Sequence, residues 1–510
     1  MQAKRKTQPY DYFDPVFDGS CEVPIDTEYN LPDYCPDIQK VLKCRVVPEI
    51  SSYGISEDTL RCEGVCDIRV LYLDPRGEGL KCCDFTKEFS ATIKVKSAQE
   101  KAVAWVRAAV EHVNCRAVNA RRIDLHLAVS LKALAVVQRQ EQIPCSLEDR
   151  GLEKRMESRQ ASQAVNAVSH QFTVEDRIPL KNGKPPIEEI LRKDITCRVT
   201  ECKLAQGQIS FSGRADVAFL YRSSVDGALE KMSSSLEFNQ VLECEGVTED
   251  CLCDLRVVSG ESNLQTREDD VGEYTSVDVS AKVFVIAFLY QSCQVEYISD
   301  AYSIRGPLEL RFAQSSLLDA REVYTEVLKK KCSLTVTGEE IQKILDLWCE
   351  QESVQSSCVE GKLTYRVRYT ICMLYRGESG RVAYMEKNFE HSFSTELSVS
   401  AAQRGDTVSL TDLWEYRIAD KNTVEASVET WVSSLLYSRE PVKYLASAAM
   451  EEGAQPYPHR PRLTVYYGSS GERLWDIAKS HRALLSDLRE QNDLYDEALP
   501  DARPLIICSR

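Results

Sequence analysis

No run of about 20 apolar residues, the length needed to cross a bilayer, occurs in this 510-residue sequence. The longest apolar run is Val283 to Tyr290, so no transmembrane segment is expected. A secretion signal is missing as well. Lys4, Arg5 and Lys6 are followed by Thr7-Gln8-Pro9-Tyr10-Asp11, where an apolar core should stand. The expectation is a protein that stays in the cytoplasm where it is made. Excess positive charge is also lacking: 63 Lys and Arg against 79 Asp and Glu give −16 and a pI near 5.1. Phosphate binding needs concentrated basic surface, so no nucleic-acid partner is expected. There are only six His and no Cys-x-x-Cys pair. No phosphate-cradling Gly loop, nucleophile elbow or HExxH motif is found. Metal, cofactor and catalytic residues are therefore expected to be none.

Twenty cysteines are present, and an internal repeat says what they do. Pro36-Asp-Ile-Gln-Lys-Val-Leu42, Pro186-Ile-Glu-Glu-Ile-Leu191 and Glu340-Ile-Gln-Lys-Ile-Leu345 are three copies of one segment. Each leads to a strand-like run ending in Leu-Tyr, at Tyr72, Tyr221 and Tyr375. From Ile38, Ile187 or Ile341 to that tyrosine is 34 residues in every copy. A period of about 150 residues is that of whole domains. Within it Cys62 aligns with Phe211 and Tyr365, Cys349 with Ile195 and Val46, and Cys332 with Ile178 and Tyr29. Cysteines that exchange with apolar residues are small core hydrophobes, not repeated ligands. Reduced, mostly buried thiols in a reducing compartment are expected, with a minority open to crosslinking in an assembly.

Ile38, Val41 and Leu42, Ile187, Ile190 and Leu191, and Ile341, Ile344 and Leu345 share the i, i+3, i+4 spacing of a buried helical face. A short helix is expected in each copy. The run before each tyrosine alternates, with Cys66/Ala215/Tyr369, Ile68/Val217/Ile371 and Val70/Phe219/Met373 on one side, as in a half-buried strand. Asp124, Asp278 and Glu425 open three equivalent closing strands. With no repeated His or second acid beside them, they are expected to cap or turn.

The fold class expected is mainly β: three tandem β-sandwich-like domains, each with a short helix, then a small βααβ module. The boundaries are 1–20, an arm that docks on a domain or frays; 21–155, 160–315 and 318–448, the three domains; 449–462, a proline-rich linker; and 463–510, the module. Glu148 to Arg159 reads as a charged connector.

The module's motifs are Gly471-Glu-Arg-Leu-Trp475-Asp-Ile-Ala478, Leu488 to Asn492, and Pro500-Asp-Ala-Arg-Pro-Leu-Ile-Ile507. It resembles a LysM domain. Such domains hold N-acetylglucosamine glycans between the loop after the first strand and the loop before the second. Here Glu472-Arg473 and Asp501 replace the family's Asp-Thr and Gly on those loops. The candidate partner- or glycan-binding residues are Gly471, Glu472, Arg473, Trp475, Asn492 and Asp501, against a structural reading in which Trp475 belongs to the core and Asn492 ends a helix.

With Leu31-Pro-Asp-Tyr-Cys-Pro-Asp-Ile38 and the Leu-Tyr strand ends, the preceding repeats resemble the SPOCS domains of clostridial spore-coat proteins. Tandem SPOCS domains before a LysM domain is the layout of SipL-type proteins. The resemblance implies a non-enzymatic scaffold in the mother-cell cytoplasm at the forespore surface, part of spore coat assembly. Its implied partner is a coat morphogenetic ATPase, stage IV sporulation protein A, with other coat proteins besides. A binder of peptidoglycan glycan in the cell or spore envelope stays open as the alternative.

Overall fold

The computed structural model describes residues 4–75, 79–96, 101–148, 151–181, 183–399, 404–451, 453, 455, 457 and 462–509. The chain is mainly β. The first repeat comprises β1 (Lys4–Asn30), β2 (Lys40–Ser56), β3 (Thr59–Leu73), β4 (Leu80–Lys94), β5 (Ala102–Asn119) and β6 (Arg122–Glu148). They form two antiparallel sheets, in the orders β1-β6-β5 and β2-β3-β4. The sheets share one core that includes Ile25, Ile50, Cys62, Ile68, Val106 and Leu125.

The second repeat follows the same plan with β7 (Leu152–Pro179), β8 (Ile187–Ala205), β9 (Gln208–Ser223), β10 (Leu229–Glu243), β11 (Leu252–Glu268) and β12 (Tyr274–Ser303). So does the third, with β13 (Leu308–Thr335), β14 (Ile341–Val359), β15 (Lys362–Gly377), β16 (Val382–Ser398), β17 (Arg404–Asp420) and β18 (Thr423–Met450). A last module, β19 (Arg462–Gly468), α1 (Leu474–His481), α2 (Leu485–Asn492) and β20 (Arg503–Ser509), holds both helices of the described residues.

The repeated apolar segment is therefore not a helix. It enters the first strand of each inner sheet, and its i, i+3, i+4 spacing is the work of β-bulges. Pairing skips one residue at Leu42, Leu191 and Leu345, and another at Glu188 and Gln342. A bulge sets two residues of one strand against one of its partner, so residues three apart regain the same face. Ile187 and Ile190 face the core of their own repeat, while Leu191 faces away from it. Ile341 and Ile344 do the same against Leu345.

What lies on the far side of those leucines is the other repeats. Leu191 and Leu345 pack with Leu71, Leu220 and Leu374, and with the half-buried Leu42, in one cluster drawn from all three inner sheets. The alternating strand is half-buried only at its start. Glu63 and Arg366 are exposed, but Leu71, Leu220 and Leu374 are covered by neighbouring repeats.

The constant 34-residue spacing has a physical cause in two copies. The Tyr72 hydroxyl donates to the Pro36 carbonyl oxygen and the Tyr221 hydroxyl to that of Pro185, both at 3.0 Å. Gly64 and Gly213 sit at equivalent points of β3 and β9, where a Cβ would come within 2.5 Å of the Glu49 or Arg198 carbonyl. The bulged neighbour strand there leaves no room for a side chain.

Residues 4–20 are not an arm. β1 pairs with β6 from Lys4 to Asn30, with a bulge at Val16 that Val165 of β7 and Arg321 of β13 repeat. Beyond these bulges each pair of strands leaves its sandwich as a two-stranded ribbon. The three ribbons bury a further cluster, including Tyr10, Ile143, Val295, Tyr297, Leu317 and Tyr444. Residues 152–159, expected as a connector, begin β7 within this bundle. Of the expected 449–462 linker, β18 takes the start and most of the rest lies outside the described residues.

Leu191 is fully buried between repeats. Leu191→Ala should lower unfolding free energy by about 3 kcal/mol through lost transfer energy and a cavity. Val225→Ala, on an exposed turn, should change it by less than about 0.5 kcal/mol. Chemical denaturation of the two variants checks the contrast.

Candidate functional site

Two places gather polar side chains from distant parts of the sequence. One is the three-way junction, beside the leucine cluster. Lys43, Arg192 and Asp346 each directly follow a bulged leucine, and their ion pairs run round the ring. Arg45 of the first repeat pairs with Asp194 of the second. Arg192 of the second meets Asp346 of the third through two hydrogen bonds, at 2.6 and 3.2 Å. Lys43 of the first reaches Glu350 and Glu386 of the third at 3.1 and 3.0 Å. Backbone contacts join the same repeats: Arg69 donates to the Ile190 carbonyl, Arg222 to that of Leu80 and Lys231 to that of Leu347. The ring is closed.

Asp346 is fully buried, and Arg192 is 2% exposed. Burial pushes the Asp346 carboxyl up, but Arg192 and Lys231 outweigh it and hold the group below the ordinary carboxylate value. This junction is structural chemistry, since every charge has a partner of opposite sign.

The second place is the C-terminal module. β19 pairs with β20, and α1 and α2 contribute Leu474, Ile477, Ala478 and Leu488 to a core shared with Leu505 and Ile507. The loop before α1 and the loop before β20 are zipped together. Gly471 N–H donates to the Leu499 carbonyl at 2.8 Å, Leu499 N–H to that of Glu472 at 2.9 Å, and the Ser470 hydroxyl to that of Pro500 at 3.1 Å. Gly471 has φ 81°, a conformation that glycine adopts without strain. Glu472 accepts from the Tyr466 hydroxyl and the Ser469 N–H, and these bonds lower its pKa. Arg473 is exposed at the start of α1, its backbone bridging to Ala498. Asp501 is exposed and takes a hydrogen bond from Arg503, which lowers its pKa. Gly471, Glu472, Arg473 and Asp501 thus share one loop pair.

Trp475 and Asn492 lie elsewhere. Asn492 bonds the Leu488 and Ile506 carbonyls and accepts from Ile506 N–H, tying α2 to β20. Trp475 faces the end of β12. Its indole N–H donates to Asp300 at 2.9 Å, its ring meets Tyr302 edge-on at 4.9 Å, and Lys479 binds the same carboxylate. The Tyr302 hydroxyl adds a 2.8 Å bond to the Ala483 carbonyl. Tyr457 accepts a stacked Arg482 at 3.8 Å and donates its N–H to Arg305. These residues fasten the module to the second repeat. Asp300 and Tyr302 carry no signal in the sequence, since nothing local relates them to a tryptophan 175 positions away. The outer face of the small sheet, with Leu463, Val465, Tyr467 and Ile506, is exposed.

Asp124, Asp278 and Glu425 are not caps or turn formers. Each pairs with arginine on a strand face: Arg122 at 3.1 Å, Arg177 at 2.7 Å and Arg417 at 2.6 Å. Arg177, with Arg267, holds Asp278 down to about 2. Among the described residues no group of three or more His, Cys, Asp or Glu could hold a metal ion, and no helix is long and apolar enough to cross a membrane.

Residues 37–118 and 186–265 match the family model described as SipL, SPOCS domain. The chain is similar to SipL-type proteins over those stretches. In each of the two repeats the match begins at the bulged segment, spans both strands that flank the central one of the inner sheet, and ends in β5 or β11. The SPOCS match relates the chain to the spore coat. No curated protein and no solved structure matches.

Two outcomes follow from the geometry. Asp346→Asn removes the buried charge that Arg192 and Lys231 share, leaving Arg192 only Asp194, and should cost about 3 kcal/mol, whereas Arg192→Met with Asp346→Leu should recover part of it, since Asp194 keeps Arg45. The ion pair's contribution is present above the ordinary carboxylate pKa of about 3.9 and is lost as pH falls through the depressed value of Asp346. Denaturation of the variants across pH measures both. Asp300→Ala should release the module, seen as a red shift of Trp475 emission against a Trp475→Phe blank and as faster proteolysis between residues 451 and 462.

Proposed function

We propose that this chain is a non-enzymatic scaffold of the spore coat, acting on the mother-cell side of the forespore surface. The observation that carries this reading is the SPOCS match in two repeats. A ring of three sandwiches closed by buried ion pairs is a rigid support, which suits a structural role. Its partner in this reading is the coat morphogenetic ATPase, stage IV sporulation protein A, with further coat proteins recruited alongside.

The C-terminal module, read as LysM, makes the contact. Its docking supports that assignment: Trp475 and Lys479 are spent on Asp300, while Arg473 and Asp501 remain exposed on the loop pair. Charged, exposed loops favour a protein partner over the close backbone approach that a sugar needs. A glycan partner is the second reading, because this loop pair is where LysM domains hold N-acetylglucosamine.

The test uses the full chain, with and without residues 463–510, against the ATPase from the same organism and against insoluble peptidoglycan. Retention by the ATPase, lost on truncation, is expected. Arg473→Glu with Asp501→Lys should weaken it roughly tenfold at unchanged melting temperature, since charges on an interface rim tune affinity by about that much. Unchanged affinity would remove the loops from the contact, and retention by peptidoglycan alone would put the glycan reading first.

A further inference from the structure

In the second repeat the two sheets meet along a seam where β8 and β11 lie side by side in opposite directions. Two contacts fix the register. Lys193 donates to the Ser262 carbonyl at 3.0 Å, and Cys197 N–H to the Ser259 hydroxyl at 3.0 Å. Continued along the seam, this register sets Cys202 beside Cys253. Both sulfurs border a cleft of about 380 Å³ between the second and third repeats, with Arg198, Leu255, Val323 and Trp431. Cys202 is exposed, and Cys253 is half-buried.

We propose that Cys202 and Cys253 are a peroxide-reactive thiol pair that closes to a disulfide across the seam. The oxidant is hydrogen peroxide. The Cys202 sulfur attacks the outer peroxide oxygen; an S–O bond forms, the O–O bond breaks, and water leaves. The Cys253 sulfur, giving up its proton, then attacks the Cys202 sulfenic acid; the S–S bond forms, the S–O bond breaks, and a second water leaves. Two thiols and one hydrogen peroxide become one disulfide and two waters.

Exposure sets the order. Cys202 is exposed and its pKa is lowered by the neighbouring Cys253, whereas Cys253, half-buried beside Cys202 and desolvated, is pushed up. Cys202 is thus both the better nucleophile and the one facing solvent. A comparison lies within the chain: Cys44 and Cys115 meet across the matching β2–β5 seam of the first repeat. Both of those sulfurs pack against the core and should oxidise later. The third repeat cannot form such a bridge, because β17 holds no cysteine.

The full chain is treated with increasing hydrogen peroxide, blocked with N-ethylmaleimide, digested with trypsin and mapped by mass spectrometry. The expected first product joins peptide 199–203 to peptide 232–256, with fragmentation placing the bond on Cys253. A bond to Cys244 or Cys251 overturns the assignment. So does a reduced Cys202 at a dose that oxidises other thiols. In Cys253→Ser, dimedone should label Cys202 about tenfold more than it labels Cys253 in Cys202→Ser, following thiolate character and exposure. Equal labelling overturns the order of the two steps. Melting temperatures confirm that both serine variants are folded.

Discussion

One extra residue in a strand determines how this molecule is assembled. Without the bulges at Leu42, Leu191 and Leu345, strict alternation would return these side chains to the cores of their own repeats. With them, each repeat keeps a filled interior and presents a leucine to its neighbours. The leucine cluster, the buried Arg192–Asp346 pair and the lysine bridges of Lys43 all lie within a residue or two of those bulges. The ribbons depend on the same device, since Val16, Val165 and Arg321 mark where the strands leave their sandwiches.

The repeat, the strand that ends in tyrosine and the order of the last module were legible because each leaves a local pattern. Alternation at Cys66, Ile68 and Val70 needs only a two-sided environment, and the conserved spacing to Tyr72 records a hydrogen bond to Pro36. The bulged segment misled because two different geometries share one spacing: in a helix residues three apart meet through the turn, and in a bulged strand through the skipped pairing. Tyr10 and Phe13 looked like part of a loose arm because their burial partners belong to other repeats. At the candidate site, the loop residues could be named from motif order, but Trp475 could not be separated from them, since its partner Asp300 sits on a different domain.

The junction also shows what a single chain permits. Position for position, Lys43, Arg192 and Asp346 are equivalent. Three identical subunits about a threefold axis would carry the same residue three times, and like charges would face one another. Duplicated repeats free to diverge can place cation and anion at equivalent points, so a buried ion pair becomes available at the centre. The charges are unevenly shared as well: the first repeat supplies the cation to both neighbours, through Arg45 and Lys43, and the second supplies Arg192 to the third.

Closure of that ring has a consequence for synthesis. Tyr10 accepts its hydrogen bond from Leu318 and donates to Ser162, and Lys43 waits for Glu386. A ribosome adding about 5–20 residues per second needs some tens of seconds to deliver partners more than 300 positions downstream. For that interval the earliest strands have a sandwich but no ring, and the apolar faces of their ribbons are open to other chains. Contacts at such sequence separation also form late, because the loop must close before it is rewarded. The growing chain therefore depends on folding helpers, or on slow commitment, at the stage when its first 150 residues are finished and its last are still unmade.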